Sequence, residues 1–167
     1  MSAAATATAR VRPKEFHFPV SVEWITGRRV AAHAEGRPAI EIATPPVFRG
    51  TDPAVWSPED FLVAAAASCL AVTFAGLADQ AGLVYAGLSV DGDGVVGLRS
   101  DGRFGFTRLL LRLEVEVDPA DEERARELAE KAEAGCLVSV SLNLPVETTL
   151  EVQAAGPLRS LTLSPAS

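Results

Sequence analysis

The sequence predicts an α+β fold in which antiparallel β-sheets surround one central helix. Three observations carry this prediction: short alternating segments come first, one long apolar helix follows, and a hairpin, a second helix and a last alternating segment complete the chain. The 48% hydrophobic and 22% charged content is typical of a globular domain. We expect one domain over residues 13–153, a disordered N-terminal tail over residues 1–12 and a loose C-terminal tail over residues 154–167.

The first alternating segments predict a three-stranded meander. Residues 20–25 alternate between apolar and polar side chains, and a turn at Thr26-Gly27 ends that strand. Residues 28–34 and 39–43 then form the second and third strands. A loop over residues 47–56 leads to the central helix.

The segment from Ser57 to Asp79 predicts that central helix. Ser57 suits the N-cap, Pro58 suits the first helical position, and almost every residue from 61 to 78 is apolar. A helix that is apolar all round is expected to be buried on all sides. A membrane span is the alternative, because about 18 apolar residues is the lower limit for crossing a bilayer. We favour a buried helix, because the run is rich in alanine and no Lys/Arg cluster flanks it.

The rest of the chain predicts a hairpin, a second helix and a final strand. Residues 83–96 and 104–117 alternate on either side of an Asp-Gly turn. The second helix begins with Asp118-Pro119 and ends at Gly135, and residues 137–152 complete the sheet. Its predicted buried stripe is Ala125, Leu128, Ala129 and Ala132.

Composition excludes several classes of function. The net charge of −7 and the pI near 4.8 argue against nucleic acid or an anionic membrane as a partner. We see no secretion signal and therefore expect a cytoplasmic protein. In that compartment two cysteines do not predict a structural disulfide. No pair among His17, His33, Cys69 and Cys136 has the spacing of metal ligands, so we predict no metal and no cofactor.

The two cysteines are the candidates for chemistry. A cysteine in an apolar helix is by default an inert small side chain, and a reactive one needs a lowered pKa. Cys69 lies too far along the central helix to profit from its N-terminal dipole, so a cation has to stabilise a thiolate there. The candidate cations are Arg28, Arg29 and Arg49. Together with Cys136, Cys69 suggests a peroxidatic and resolving pair, provided that their Cα atoms lie within roughly 7 Å.

The cysteine motifs resemble those of a known family. The segment SPEDFLVAAAASC, followed about 67 residues later by Cys136 after an acidic helix, is similar to the OsmC/Ohr family of osmotically inducible and organic hydroperoxide resistance proteins. The resemblance covers residues 19–153. It implies an OsmC-like fold, an intertwined homodimer with active sites at the subunit interface, and a thiol-dependent peroxidase for organic hydroperoxides. Electrons would come from a dithiol or a lipoylated protein.

The resemblance also implies roles for single residues. Cys69 matches the peroxidatic cysteine and Cys136 the resolving one. Glu59 matches the carboxylate that holds an arginine against the thiolate. The glycine turn of the first hairpin favours Arg28 as that arginine, and Arg49, in the loop before the helix, is the reserve.

One consequence of these roles concerns the helix itself. Ten residues separate Glu59 from Cys69, which is ~15 Å on a straight helix. One guanidinium cannot bridge them, so the resemblance predicts a break near residues 60–61. Leu137, where many members of the family have proline, is expected to alter the local turn rather than the chemistry.

Three functions follow, of which we favour the peroxidase. The second is a non-catalytic stress protein that uses the fold as a redox sensor or an apolar-ligand module, with the cysteines as a switch. The third keeps the fold and uses the cysteines as core residues. Turnover of an organic hydroperoxide distinguishes the first from the second, and native-state thiol reactivity distinguishes both from the third.

Overall fold

The computed structural model describes residues 15–155, and its contacts divide the chain into two compact units. The first unit ends at Val55 and the second begins at Trp56. The predicted tail over residues 1–12 lies outside the described residues, as does most of the predicted C-terminal tail. Ala154, which we assigned to that tail, belongs to the last strand instead.

The first unit is the predicted meander. Its three strands form one antiparallel sheet in the order β1-β2-β3, which confirms the prediction. Gly27 has φ 52° at the first turn, a conformation that glycine adopts without strain. A short 3-10 turn over Pro46–Phe48 follows the sheet. The strands are β1 (Ser21–Thr26), β2 (Arg29–His33) and β3 (Ile40–Ala43).

The sheet of the second unit is mixed rather than antiparallel. It contains β4 (Tyr85–Leu98), β5 (Phe104–Val117) and β6 (Val146–Ala154) in that order. β4 and β5 form the predicted antiparallel hairpin, whereas β5 and β6 are parallel, with Leu109 opposite Val146. The prediction of antiparallel sheet is therefore wrong for this pair, because helical chain between the strands forms the crossover that parallel strands need.

The central helix, α1 (Pro58–Ala81), begins as predicted and runs without interruption. Ser57 Oγ accepts a hydrogen bond from the Asp60 backbone N–H at 3.1 Å, and Asp60 Oδ2 accepts one from the Ser57 N–H at 2.8 Å. This reciprocal capping box fixes the first turn. Gly82, with φ 65°, ends the helix in the left-handed conformation that favours glycine.

α1 is buried on one face only, so the prediction of burial on all sides is wrong for the single chain. The buried stripe recurs every fourth residue and packs against β4 and α2, a helix over Glu122–Gly135. The opposite face carries small, exposed residues, and Val72 there is 67% exposed. By length and composition alone the helix could cross a membrane, and 22% of its apolar window is buried. The buried stripe is Ala66, Leu70, Phe74 and Ala78, and the exposed face is Ala65, Ser68, Val72 and Gly76.

The second predicted helix is confirmed as α2, preceded by a 3-10 turn over Pro119–Asp121. Asp118 Oδ1 caps that turn by accepting a hydrogen bond from the Ala120 N–H at 2.9 Å. The four residues of the predicted stripe are the four that α2 buries. They meet the buried side chains of β5, which alternate along the strand from Leu109 to Val117.

A short helix, α3 (Leu137–Ser141), lies where we predicted the start of the last strand, so that prediction is wrong. The Val140 N–H donates a hydrogen bond to the Cys136 carbonyl oxygen at 3.0 Å, and this closes the turn. Leu137 and Val140 are 67% and 64% exposed, while Val138 packs against the core. The alternation of apolar and polar residues in LVSVS therefore does not indicate a strand with one buried face.

Candidate active site

Cys136 occupies a buried junction between two helices. It follows the last residue of α2, serves as the N-cap of α3 and is 1% exposed. Its Sγ accepts a hydrogen bond from Ser139 Oγ at 3.1 Å and lies 3.9 Å from the carbonyl oxygen of Ala66. Ala66 lies three residues before Cys69 on α1, so this contact brings Cys136 to the central helix.

Cys69 lies near the middle of α1, partly buried and directly beside Cys136. Burial raises the pKa of the Cys69 thiol, but hydrogen bonds to its sulfur outweigh that effect and leave the pKa below its ordinary value. These bonds come from the Val138 backbone N–H, the Cys136 side chain, the Thr73 hydroxyl and the Leu137 backbone N–H, in decreasing order of effect. Both cysteines are free thiols.

The structure therefore brings together the two predicted cysteines in the second unit. A lowered pKa enlarges the thiolate fraction, and a second thiol in hydrogen-bond contact can form a disulfide with it. Such a pair can pass between thiol and disulfide without a cofactor. Within residues 15–155, no cluster of three His, Cys, Asp or Glu side chains is arranged to hold a metal ion.

The three candidate arginines belong to the first unit, and each pairing with Cys69 stays a prediction. Arg28 donates hydrogen bonds to the carbonyl oxygens of Phe48 and Arg49, at 3.1 and 3.2 Å. Arg29 forms ion pairs with Glu41 and Asp52. The Arg49 side chain is exposed, and its backbone adopts φ 62° after the 3-10 turn. Arg28 thus binds the backbone of the loop that precedes α1 in the sequence, at Phe48 and Arg49.

Glu59 lies in the first turn of α1, and the predicted break near residues 60–61 is wrong. The Phe61 N–H donates to the Ser57 carbonyl oxygen at 3.1 Å, and the helix continues unbroken to Ala81. Glu59 and Cys69 of one chain therefore stay ~15 Å apart along the axis. Glu59 Oε2 is buried and has no hydrogen-bond partner within the described part of the chain.

Sequence reasoning missed the groups that surround the two sulfurs. No role for Thr73 or Ser139 was predicted from the sequence. Both signals are visible in the sequence, because Thr73 lies four residues after Cys69 and Ser139 three residues after Cys136. Those spacings place side chains together on a helix. The backbone donors of α3 were missed because that segment was assigned to a strand.

The geometry of this site agrees with a family comparison. Residues 50–151 match the family model described as OsmC-like protein. The chain belongs to the OsmC-like family. This OsmC-like chain is also 27% identical over 142 residues to YmaD of Bacillus subtilis (strain 168), an uncharacterized protein, and the match covers 82% of this chain and 93% of YmaD.

Solved structures show the same fold. An OsmC-like protein of unknown function from Vibrio cholerae, VCA0330, superposes with a TM-score of 0.74 at 19% identity, over 81% of this chain and 99% of that one. An organic hydroperoxide resistance protein from Elizabethkingia anophelis, with thiocyanate bound, gives a TM-score of 0.67 at 20% identity, over 86% and 100%. The α+β fold predicted from the sequence is thereby confirmed.

Proposed function

We propose that this OsmC-like protein is a thiol-dependent peroxidase that reduces organic hydroperoxides. The observation that carries the proposal is the contact between Cys69 and Cys136, which are 67 positions apart in the sequence. Cys69 is partly exposed with a lowered pKa, as an attacking thiolate should be. Cys136 is buried beside it, as a resolving thiol should be, since burial keeps the peroxide away from its sulfur.

The proposed cycle has three steps. The Cys69 thiolate attacks the distal oxygen of ROOH, the O–O bond breaks, and the products are Cys69 sulfenic acid and, after proton uptake, the alcohol ROH. The Cys136 thiol then displaces the hydroxyl group from the sulfenic sulfur, which forms the disulfide and releases water. A dithiol reduces that disulfide and is itself oxidised to a disulfide.

Two features support an organic substrate. Cys69 lies among small apolar residues of α1, which suit an alkyl group better than a bare hydrogen peroxide molecule. The Elizabethkingia structure of the same fold is named as an organic hydroperoxide resistance protein. We propose a small dithiol or a lipoylated protein as the reductant, in the cytoplasm.

The functional unit is proposed to be a homodimer. Val72, on the exposed face of α1, and Val22 and Trp24, on β1, are 67%, 59% and 71% exposed. Each patch lies within its own unit and belongs to a regular element, so a second copy can bury both. The small residues on the exposed face of α1 allow another helix to approach closely.

A second copy of the chain would also give the Glu59 carboxylate a role. In an antiparallel pair of α1 helices that cross at about residue 64, position 59 of one helix lies beside position 69 of the other, so the ~15 Å offset within one chain disappears. We therefore propose that Glu59 of one subunit acts on Cys69 of the other through Arg28. The carboxylate would hold the guanidinium, and the guanidinium would stabilise the thiolate.

The proposal is tested by peroxide turnover. The wild-type protein, Cys69→Ser and Cys136→Ser are assayed with cumene hydroperoxide and dithiothreitol, and intact masses are recorded after one equivalent of peroxide. We expect wild-type turnover with loss of two hydrogens, no turnover for Cys69→Ser, and gain of one oxygen for Cys136→Ser. Equal slow rates for wild type and Cys69→Ser would reject the enzyme, and a disulfide without turnover would favour the redox switch.

The contribution in trans has its own test. Glu59→Gln and Cys69→Ser are co-expressed with different tags, and the mixed dimers are purified. If Glu59 serves the partner, a mixed dimer has one intact site and regains about half the wild-type activity. If Glu59 serves its own chain, both sites are defective and activity stays as low as in the two parent variants.

A further inference from the structure

The hydrogen bond between Ser139 and Cys136 has no role in the cycle described so far. Cys136 is the N-cap of α3 and Ser139 is its third helical residue. At this spacing the side chain of the third residue reaches back toward the N-cap, as in a capping box. In this chain the serine hydroxyl bonds the cysteine sulfur, at an Oγ–Sγ distance of 3.1 Å.

We propose that Ser139 is a positioning residue that stabilises Cys136 as a thiolate while the disulfide forms and breaks. The inference rests on the proposed function, because it assigns a role within the thiol–disulfide steps. Ser139 contacts neither the peroxide nor Cys69 in this account. It acts through Cys136.

The burial of Cys136 is the reason that one hydroxyl matters. A thiolate that is 1% exposed cannot be solvated by bulk water, and apolar surroundings disfavour its charge. The Ala66 carbonyl oxygen near the same sulfur is an acceptor and cannot stabilise a negative sulfur. The Ser139 hydroxyl donates to it, and hydrogen bonds to charged groups are the strong ones.

Charge appears on Cys136 in two steps. When the disulfide forms, Cys136 loses its proton, its sulfur bonds the Cys69 sulfur, and the S–O bond of the sulfenic acid breaks, so that hydroxide and the proton leave as water. When a dithiol reduces the disulfide, its thiolate attacks the more exposed Cys69 sulfur and Cys136 leaves with the electron pair. The second thiol of the reductant then releases Cys69, and the reductant carries away the new disulfide.

The peroxide step involves no charge on Cys136. Removal of the Ser139 hydroxyl should therefore leave the oxidation of Cys69 unchanged and slow the two steps that follow. The slower steps should recover in Ser139→Thr, which keeps a hydroxyl at this position. A merely structural lesion would slow the oxidation of Cys69 as well.

The experiment compares three full-length variants with wild type. Ser139→Ala removes the hydroxyl, and Ser139→Thr retains it. Ser141→Ala is the matched control, because Ser141 lies in the same short helix and its hydroxyl bonds the Leu137 carbonyl oxygen instead of a sulfur. Rapid mixing with one equivalent of cumene hydroperoxide at neutral pH, followed by acid quenching and mass analysis, gives the rates of sulfenic acid and disulfide formation.

We expect Ser139→Ala to form the sulfenic acid at the wild-type rate and the disulfide about tenfold more slowly at neutral pH, which is the loss expected for one hydrogen bond to a charged group. Ser139→Thr and Ser141→Ala should follow wild type. A Ser139→Ala protein that forms the disulfide at the wild-type rate, or one that forms the sulfenic acid and the disulfide equally slowly, would overturn the inference.

A second readout does not depend on peroxidase activity. The Cys69–Cys136 disulfide is formed with diamide, and its reduction by dithiothreitol is followed by intact mass. Slower reduction of Ser139→Ala supports the role of Ser139 even if no protein turns over peroxide. Equal reduction rates, together with peroxide turnover by wild type, would remove the inference and leave the proposed function standing.

Discussion

The two long helices of the second unit differ in how well their sequences predict which face is buried. In α2, apolar residues recur at helical spacing among charged residues. These apolar residues are the ones that are buried in the fold. In α1, almost every side chain is apolar, yet one stripe from Ala66 to Ala78 is buried and the opposite face is exposed. Sequence periodicity thus identifies the packed face of α2 but not that of α1.

The difference shows that α1 has more apolar surface than the described residues of its own unit cover. Each residue advances a helix by about 100°, so Cys69 lies about 60° from Val72 and about 100° from Leu70 around the axis. Cys69 therefore lies at the border between the covered and the uncovered faces of α1. A site completed by a second copy would be expected at that border.

The first test of this comparison removes one packed side chain from each helix. Phe74 of α1 is fully buried and meets Tyr85 edge-to-face at 5.8 Å, whereas Leu128 of α2 is 7% exposed. We expect Phe74→Ala to lower the free energy of unfolding by about 4 kcal/mol and Leu128→Ala by about 2 kcal/mol. Urea titrations at one fixed protomer concentration measure both. A larger loss for Leu128→Ala would contradict the central role of α1.

The second test places a charge on the exposed face of each helix. Val72→Asp lies on the face of α1 that we assign to a second copy, and Ala134→Asp lies on the exposed side of α2. An unpaired carboxylate buried in an interface costs about 3 kcal/mol, so Val72→Asp should weaken self-association at least about a hundredfold. Ala134→Asp should not change it. Sedimentation equilibrium decides, and a wild-type monomer or an unchanged Val72→Asp dimer would reject the assignment.

The third test concerns the approach of α1 to the sheet. A Cβ atom at Gly94 would lie 2.6 Å from Val63 Cγ2 of α1 and 2.6 Å from Phe106 Cε1, whereas one at Gly97 would meet Thr107 Cγ2 at 3.6 Å. We expect Gly94→Ala to lower the free energy of unfolding by about 2 kcal/mol through overpacking. Gly97→Ala should be neutral or stabilising by about 0.5 kcal/mol. Thermal unfolding measures the stabilities of the two variants. Equal stabilities would show that α1 can move away from β4 without a loss of stability.

Local signals predicted those parts of the fold that local physics controls. The cap at Ser57, the hairpin between β4 and β5 and the buried face of α2 each depend on residues close together in sequence. The parallel pairing of β6 was missed, because pairing across a crossover depends on contacts far apart in sequence. The helix α3 was missed because its alternating apolar and polar residues are typical of a strand. The helical turn there depends on the hydrogen bond from the Val140 N–H to the Cys136 carbonyl oxygen.

The candidate site was predictable as a pair of sulfurs but not as an environment. Their spacing and the family resemblance identified Cys69 and Cys136, and the resemblance directed attention to distant arginines. The groups that lower the pKa of Cys69 within its own unit are instead close neighbours, such as Thr73 and the Val138 backbone N–H. A hydroxyl near a sulfur is visible in the sequence only as a helical spacing, such as the four residues from Cys69 to Thr73, and not in composition or charge.

The smallest predicted effect concerns Thr73, which lies one turn after Cys69 on α1. Its hydroxyl is one of the groups that lower the pKa of Cys69, so Thr73→Val should raise that pKa and reduce the thiolate fraction at neutral pH. The lowered pKa stabilises the folded state above the ordinary pKa of a cysteine, and this contribution is lost as the pH falls through the folded-state value. Thr73→Val should therefore weaken stability only at alkaline pH.

The measurement is the rate at which iodoacetamide alkylates Cys69 as a function of pH. For Thr73→Val the profile should move to higher pH, because one of the groups that lower the pKa of Cys69 is lost. Thr73→Ser keeps the hydroxyl and should follow wild type. If Thr73→Val and wild type have the same profile, the remaining donors at the start of α3 suffice, and the lowered pKa belongs to the junction at Cys136 rather than to α1.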